Sequence, residues 1–286
     1  MTQSMNTPLA LARQITQLFA DLPQVEAVAM GGSQVGDNPD ATSDIDLYVY
    51  TRADILLAER QSIVDRSGGA SIANLGLNYW GPGDEWFHAD TGIEVDIVYF
   101  DSLWMENQIK RVVYEHQASL GYTTCFWYTI QHSRVLHDPH GWFLALQDQC
   151  QADYPEALRQ NIIALNHPVL RNMIPSYTDQ LAKAVKRGDL VSIIHRLAAL
   201  LASYFDVIFA ANRELHPGEK QLVSRALSQC EKLPIGMVTD IDAVLQASAT
   251  TDPDFLTLLS RLLDRLDELL VEEGFDPLML PPGMAD

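Results

Sequence analysis

The chain reads as an α+β protein, with a small mixed sheet and flanking helices in its first half and an all-helical bundle in its second. Three observations predict this class. Strand-like alternation is confined to the region before residue 101, helical periodicity dominates from Tyr154 onward, and a Gly-Gly-Ser turn follows the first short apolar strand. A length of 286 residues accommodates two domains of about 100 to 200 residues each. The expected boundary lies near residues 148 to 155, where QDQCQADYP loses apolar periodicity, giving domains at 1–150 and 151–286.

Taken in order, Pro8 to Leu22 carries Leu9, Leu11, Ile15, Leu18 and Phe19 at helical spacing and is expected to be an amphipathic helix. Val25 to Met30 is a short apolar strand that ends at the glycines. Ile45 to Tyr50 is a second strand, with Ile45, Leu47 and Val49 on one face and Asp44, Asp46 and Tyr48 on the other. Asp54 to Asp65 reads as helix, broken by Gly68 and Gly69. Further strands are expected at Glu85 to Ala89 and Ile93 to Phe100, joined by a turn at Asp90 to Gly92. VLHDPHGW at 135 to 142 reads as a polar turn into a helix, and helices follow at roughly 155–166, 168–187, 189–213, 219–230, 237–248 and 253–272.

Composition narrows the function. The 38 acidic residues against 19 Lys and Arg give a formal charge of −19, which argues against binding a polyanion through phosphate neutralisation. Nucleic acid is therefore not an expected partner. An acidic field concentrates cations, although acidity also serves solubility alone. Cys125, Cys150 and Cys230 stand far apart, without the spacing of a disulfide framework or a zinc site, as expected in a reducing compartment. MTQSMNTPLALARQI lacks the basic-then-apolar pattern of a secretory signal. The longest apolar run, Leu197 to Ala211, is interrupted by Asp206 and too short to span a bilayer. A cytoplasmic protein without a membrane segment is expected.

The segment GGSQVGDNPDATSDID at 31 to 46 carries the strongest chemical signal. At Gly32 and Ser33 the chain leaves a strand, and unpaired backbone N–H groups with a serine hydroxyl can hold phosphate oxygens. Asp44 comes eleven residues after Ser33, and Asp46 follows on the same strand face. Two carboxylates held that close repel unless a cation lies between them, and magnesium is the expected ion. In GIEVDIVYFD at 92 to 101, alternation sets Glu94 and Asp96 on one face, so a neighbouring strand could bring another carboxylate to a two-metal phosphoryl-transfer site. Each part alone has a plain explanation as a turn or as the wet face of an edge strand. Their combination is hard to explain by solvation.

GGS followed by SDIDL and then EVDIV resembles the nucleotidyltransferase domain of the DNA polymerase beta superfamily, most nearly its small bacterial branch of antibiotic nucleotidyltransferases. The resemblance covers about residues 10 to 100; more loosely, the helical half resembles the partner domain of the aminoglycoside adenylyltransferases. It implies that Gly32 and Ser33 contact nucleotide phosphates and that Asp44 and Asp46 bind magnesium, two ions being expected. It further implies Asp96 as the third metal-site carboxylate and Glu94 as the general base, an exchange of these two roles remaining open. The implied reaction moves a nucleoside monophosphate, AMP from ATP, to a hydroxyl of a small, cationic acceptor with release of pyrophosphate. Alternatives are transfer to a protein or tRNA, and a non-catalytic nucleotide-binding module. The loop Gln34 to Thr42, with Asp37 and Asp40, is longer and more acidic than in compact members.

In the second half, about 100° per residue places Ser192, His195, Arg196, Ser203, Asp206 and Arg213 in one stripe, opposite Ile193, Leu197, Leu200, Leu201, Tyr204 and Ile208. The stripe could line a cleft in which Asp206 meets a cationic acceptor, or it could face solvent, or Asp206 could pair inside the bundle. Arg213 and Lys220 flank a His-Pro-Gly turn, and the resemblance implies contacts with the triphosphate; solvation is the plain reading of such a lysine. His132, His137 and His140 lack the i, i+4 spacing of a helical metal pair. Tyr79, Trp80, Trp86 and Phe87 could form an aromatic wall or simply pack in the core.

Overall fold

A computed structural model describes residues 7–31, 44–79, 81–250 and 253–276. The chain is α+β and divides into two compact units, 1–110 with 129–152 and 111–128 with 153–286. A single cut at residue 150 would leave 111–128 with the sheet; these residues instead group with the helical unit. Buried polar contacts tie them there. Asn161 donates to the His116 carbonyl at 2.8 Å, Asn166 accepts the Gly121 N–H at 2.8 Å, and Asp206 accepts the Thr123 hydroxyl at 2.6 Å.

The first unit contains α1 (Pro8–Ala20), β1 (Val25–Met30), β2 (Ile45–Thr51), α2 (Leu57–Arg66), β3 (Ala70–Leu77), β4 (Gly83–His88), β5 (Glu94–Asp101), β6 (Arg134–His137) and α5 (Trp142–Gln149), while α3 (Ser102–Val113) and α4 (Cys125–His132) cross the division. Thr7 starts α1 by accepting the Ala10 N–H, with Pro8 at a position where a missing N–H costs nothing. The apolar stripe Leu11, Ile15 and Phe19 is buried in one cluster with Val28, Met30, Leu47 and Val49. Each such side chain contributes about 1.5–3 kcal/mol on burial.

Strand order is β3-β4-β5-β2-β1-β6. β2 and β5 run parallel, and all other neighbours run antiparallel, so the sheet is mixed. The expected alternation holds: Ile45, Leu47 and Val49 are buried while Asp46 and Tyr48 are half-buried on the other face. Two strands were not legible. β3 is an edge strand whose side chains are mostly exposed, and β6 is a four-residue strand inside the segment read as a turn. Both owe their conformation to a paired neighbour. Helix α2 begins at Leu57 rather than Asp54, where the Glu59 carboxylate accepts the Leu56 N–H at 3.1 Å.

Opposite the polar face, Asp84 is buried, and burial raises its affinity for a proton. Its carboxyl accepts from Tyr99 Oη at 2.6 Å, the Gly76 N–H at 2.7 Å and Arg60 Nη1 at 3.2 Å. This acid knits β3, β4, β5 and α2 together.

The second unit holds α6 (Glu156–Asn166), α7 (Pro168–Arg171), α8 (Tyr177–Arg187), α9 (Leu190–Asn212), α10 (Leu222–Gln229), α11 (Met237–Thr250) and α12 (Phe255–Glu272). The expected helix at 168–187 is split in two, because Pro175 cannot continue a helix and Ser176 caps the next by accepting the Asp179 N–H at 3.0 Å. α9 is long and apolar enough to cross a bilayer, yet its residues from Ala202 to Ala211 are buried on every side within the bundle. It has the burial of a core helix.

Candidate active site

The site is built from strand register. Asp46 of β2 lies directly beside Asp96 of the parallel β5, and Asp96 lies directly opposite Glu85 of β4. Directly paired residues project from the same face of a sheet. Asp46, Asp96 and Glu85 therefore form one row across three strands, and Asn74 of β3, opposite Glu85, extends it. In the adjacent row Glu94 pairs with Phe87, and Phe87 with Ile72. Asp44 is exposed just before β2 begins. The local pattern behind this is period-two alternation with buried Val95, Ile97 and Tyr99 on the reverse face.

Electrostatics report the same convergence. The Glu94 carboxyl is pushed up by partial desolvation and then by the negative charges of Asp44, Glu85 and Asp46. The Tyr48 phenol is pushed up to about 12 by burial and by Asp46 and Asp96. It therefore stays a neutral hydrogen-bond donor at physiological pH beside the paired carboxylates. Like charges are held together on a solvent-reachable face, an arrangement that a divalent cation would relieve.

The residues present fit magnesium in a particular way. Among the described residues no three His, Cys, Asp or Glu side chains gather closely enough to hold an ion by themselves. Magnesium is commonly held by one or two carboxylates together with phosphate oxygens and waters, rather than by an all-protein cage. Asp46 and Asp96 in register, with Asp44 nearby in sequence, match that open type.

Gly32 and Ser33 lie outside the described residues, as do Asp37, Asp40 and Trp80. Gly31 is described, and its N–H donates to the Asp46 carbonyl at 3.0 Å, tying the end of β1 to the acidic strand. A side chain at Gly31 would collide with the Tyr48 ring. Glycine thus lets the phenol lie over the end of β1, and any larger residue there must move the ring.

Glu85 was missed by sequence reasoning. Its signal was available: in Gly83 to His88 the residues Asp84, Trp86 and His88 are buried and Glu85 and Phe87 exposed, a clean alternation. What the sequence lacked was the identity of the neighbouring strand. Of the aromatic group, Trp86 is a core residue at 2% exposure, while Phe87 at 39% and Ile72 at 62% stand on the acidic face.

Among the second-unit candidates, Asp206 does not line a cleft. It is buried, with its carboxylate accepting from Thr123 Oγ1 at 2.6 Å, the Thr123 N–H at 3.2 Å and Asn166 Nδ2 at 3.2 Å. Periodicity placed it in a polar stripe, but segment 119–124 covers that part of α9, so the acceptor-binding role is withdrawn. Burial pushes its pKa up to about 7. Arg213 ends α9 in a left-handed conformation and donates through Nη2 to Glu156 at 2.8 Å, and Lys220 is exposed. Neighbouring His216 is buried; desolvation pushes its pKa down to about 4.

A family model described as a domain of unknown function, DUF4037, matches residues 125–222. No curated protein matches the sequence. A crystal structure of a nucleotidyltransferase-like protein from Exiguobacterium sibiricum 255-15 is similar at 12% identity and a TM-score of 0.43, over 92% of this chain and 74% of that one. A likeness at that level is silent on activity.

Proposed function

We propose that the protein is a magnesium-dependent nucleotidyltransferase that transfers AMP from ATP to a hydroxyl of a small acceptor and releases pyrophosphate. The observation that carries the reading is the row Asp46, Asp96 and Glu85 on one sheet face, with Glu94 in the next row and Gly31 just past the end of the adjoining strand. Asp46 and Asp96, with Asp44, are the proposed metal ligands. Bound magnesium would supply charge neutralisation for the triphosphate and would acidify the attacking hydroxyl.

The chain's own residues supply the remainder. Glu94, whose proton affinity is raised, takes the proton of the acceptor hydroxyl. The acceptor oxygen forms a bond to the α-phosphorus, the bond from that phosphorus to the pyrophosphate oxygen breaks, and pyrophosphate leaves with the electron pair. Tyr48, kept neutral, donates to a phosphate oxygen. Ile72 and Phe87 beside Glu94 give the acceptor an apolar floor, and Glu85 favours a cationic one. The resemblance alone supports Gly32, Ser33, Arg213 and Lys220 as phosphate contacts. The wide spacing of Cys125, Cys150 and Cys230 in the sequence, unlike a disulfide framework, supports a cytoplasmic site of action.

The test is pyrophosphate release from ATP and magnesium over a panel of hydroxylated amines. Asp46→Asn and Asp96→Asn should each lower the rate by at least about a hundredfold, in line with loss of a metal's electrostatic contribution. Release that either variant leaves undiminished refutes the assignment. Labelled ATP incubated with lysate separates acceptor classes: label retained on macromolecules would replace the small acceptor by a protein or RNA.

A further inference from the structure

Asp84, the residue before Glu85 in the chain, stands where an apolar side chain is expected. It is 1% exposed on the helix-covered face of the sheet, directly opposite Leu75 of β3, which packs against the apolar core, and Ile97 of β5, which belongs to it. A carboxyl in such a place must be desolvated, and replacing buried ionic groups by apolar ones of similar volume often leaves a fold as stable or more so. Stability alone therefore does not account for an acid at this position. The best-attested use of a buried ionic group is to fix register.

The bonds of Asp84 are of that kind. Between Leu75 and Leu77 the pairing of β3 with β4 shifts by one residue, and the extra residue, Gly76, sends its N–H to Asp84 Oδ1 at 2.7 Å. On the other side Tyr99 Oη of β5 donates to Oδ2 at 2.6 Å. Arg60 Nη1 of α2 donates to Oδ1 at 3.2 Å, with its guanidinium 5.0 Å from the centre of the Tyr99 ring. One side chain of the middle strand thus holds both neighbouring strands. β3 has no fully buried side chain of its own to anchor it. A slip of one residue in β4 would turn Glu85 into the core and Asp84 onto the acidic face, because side-chain direction alternates along a strand.

We infer that Asp84 is a positioning residue for the acceptor side of the active site, pinning β3 and β5 to β4 so that Glu85 and Asn74 stay in one row with Asp96. Its kinetic consequence rests on the nucleotidyl-transfer reading; its structural consequence rests on the register alone. Three variants test it in the full chain. Asp84→Leu combined with Tyr99→Phe keeps the position filled and apolar, Tyr99→Phe alone removes a single hydroxyl, and Asp84→Asn keeps an oxygen for the Gly76 N–H. Cross-strand nuclear Overhauser contacts of Glu85 with Asp96 and Asn74, measured without ATP or magnesium, should weaken or split in the double variant, do so to a lesser degree in Tyr99→Phe, and persist in Asp84→Asn. In pyrophosphate-release assays the double variant should raise KM for the acceptor by roughly tenfold or more, with KM for ATP as in the wild type. Asp84→Asn should recover most of that loss. Asp240→Asn, which disturbs a buried carboxylate paired with Arg261 and Arg265 in the helical unit, controls for lost stability and should leave both KM values unchanged. Cross-strand contacts that stay intact in both Tyr99→Phe and the double variant would overturn the inference, and Tyr99→Phe decides it if the double variant does not fold. An equal rise in KM for ATP and for the acceptor, or the same split in Asp240→Asn, would overturn it too, leaving Asp84 a purely structural residue. If the wild type releases no pyrophosphate with any acceptor, the transfer reading fails, and the cross-strand contacts still decide whether Asp84 sets the register.

Discussion

Replacing Asp206 by Asn should change how the helical unit responds to pH. Asp206 is buried with hydrogen-bond donors but with no cation against its carboxylate, so its pKa rises from 3.8 to about 7. A carboxyl that is easier to protonate when folded stabilises the fold at low pH. That contribution is fully present below about pH 4 and is lost as pH rises through about 7. At 1.36 kcal/mol per pKa unit, the difference amounts to about 4 kcal/mol. His216 acts in the opposite sense. Desolvation lowers its pKa from 6.5 to about 4, so the fold loses about 3 kcal/mol as pH falls across that interval. The two contributions offset each other between about pH 4 and 6.5, which hides both in the wild type. Asp206→Asn removes one and exposes the other. Urea unfolding followed by far-UV circular dichroism at several pH values from 4 to 8, for wild type and variant, measures the difference. The stability of Asp206→Asn relative to wild type should rise by up to about 4 kcal/mol from acid to neutral pH. Parallel stability curves for the two proteins would refute the reasoning, because they would mean that Asp206 ionises in the fold as it does unfolded.

The remaining predictions concern the first unit. Glu94→Gln should slow the chemical step while magnesium-dependent ATP binding survives, and should remove an acid limb of kcat/KM that lies above the ordinary carboxylate range; a defect confined to metal affinity would make Glu94 a ligand instead. Glu85→Gln should lower the proton affinity of Glu94 and move that limb to lower pH, read from the same profile; an unmoved limb would show that Glu85 is not felt at Glu94. Gly31→Ala should displace the Tyr48 ring at a stability cost of about 1–3 kcal/mol, measured by urea unfolding, and lower transfer activity. Asp84→Ala, which strands Tyr99, the Gly76 N–H and Arg60, should cost about 3–5 kcal/mol, whereas its place on the face of the sheet opposite Asp46 should leave KM for ATP unchanged in protein that remains folded.

What the sequence determined by itself is what depends on neighbours along the chain. Alternation at 45–51 and 94–101 decided that Ile45, Leu47, Val95 and Ile97 turn inward and that Asp46, Glu94 and Asp96 turn outward, because side-chain direction in a strand has a period of two residues. Helical periodicity likewise placed α1, α6 and α9 and the class of each half. Tertiary structure alone decided which strands adjoin, since pairing is a contact between distant segments: it set Asp96 between Asp46 and Glu85 and made strands of Ala70–Leu77 and Arg134–His137. It also decided the fate of Asp206. Periodicity assigns a residue to a side of a helix but not to what covers that side, and here residues 119–124 cover it, turning an expected ligand contact into a buried carboxyl held by Thr123 and Asn166.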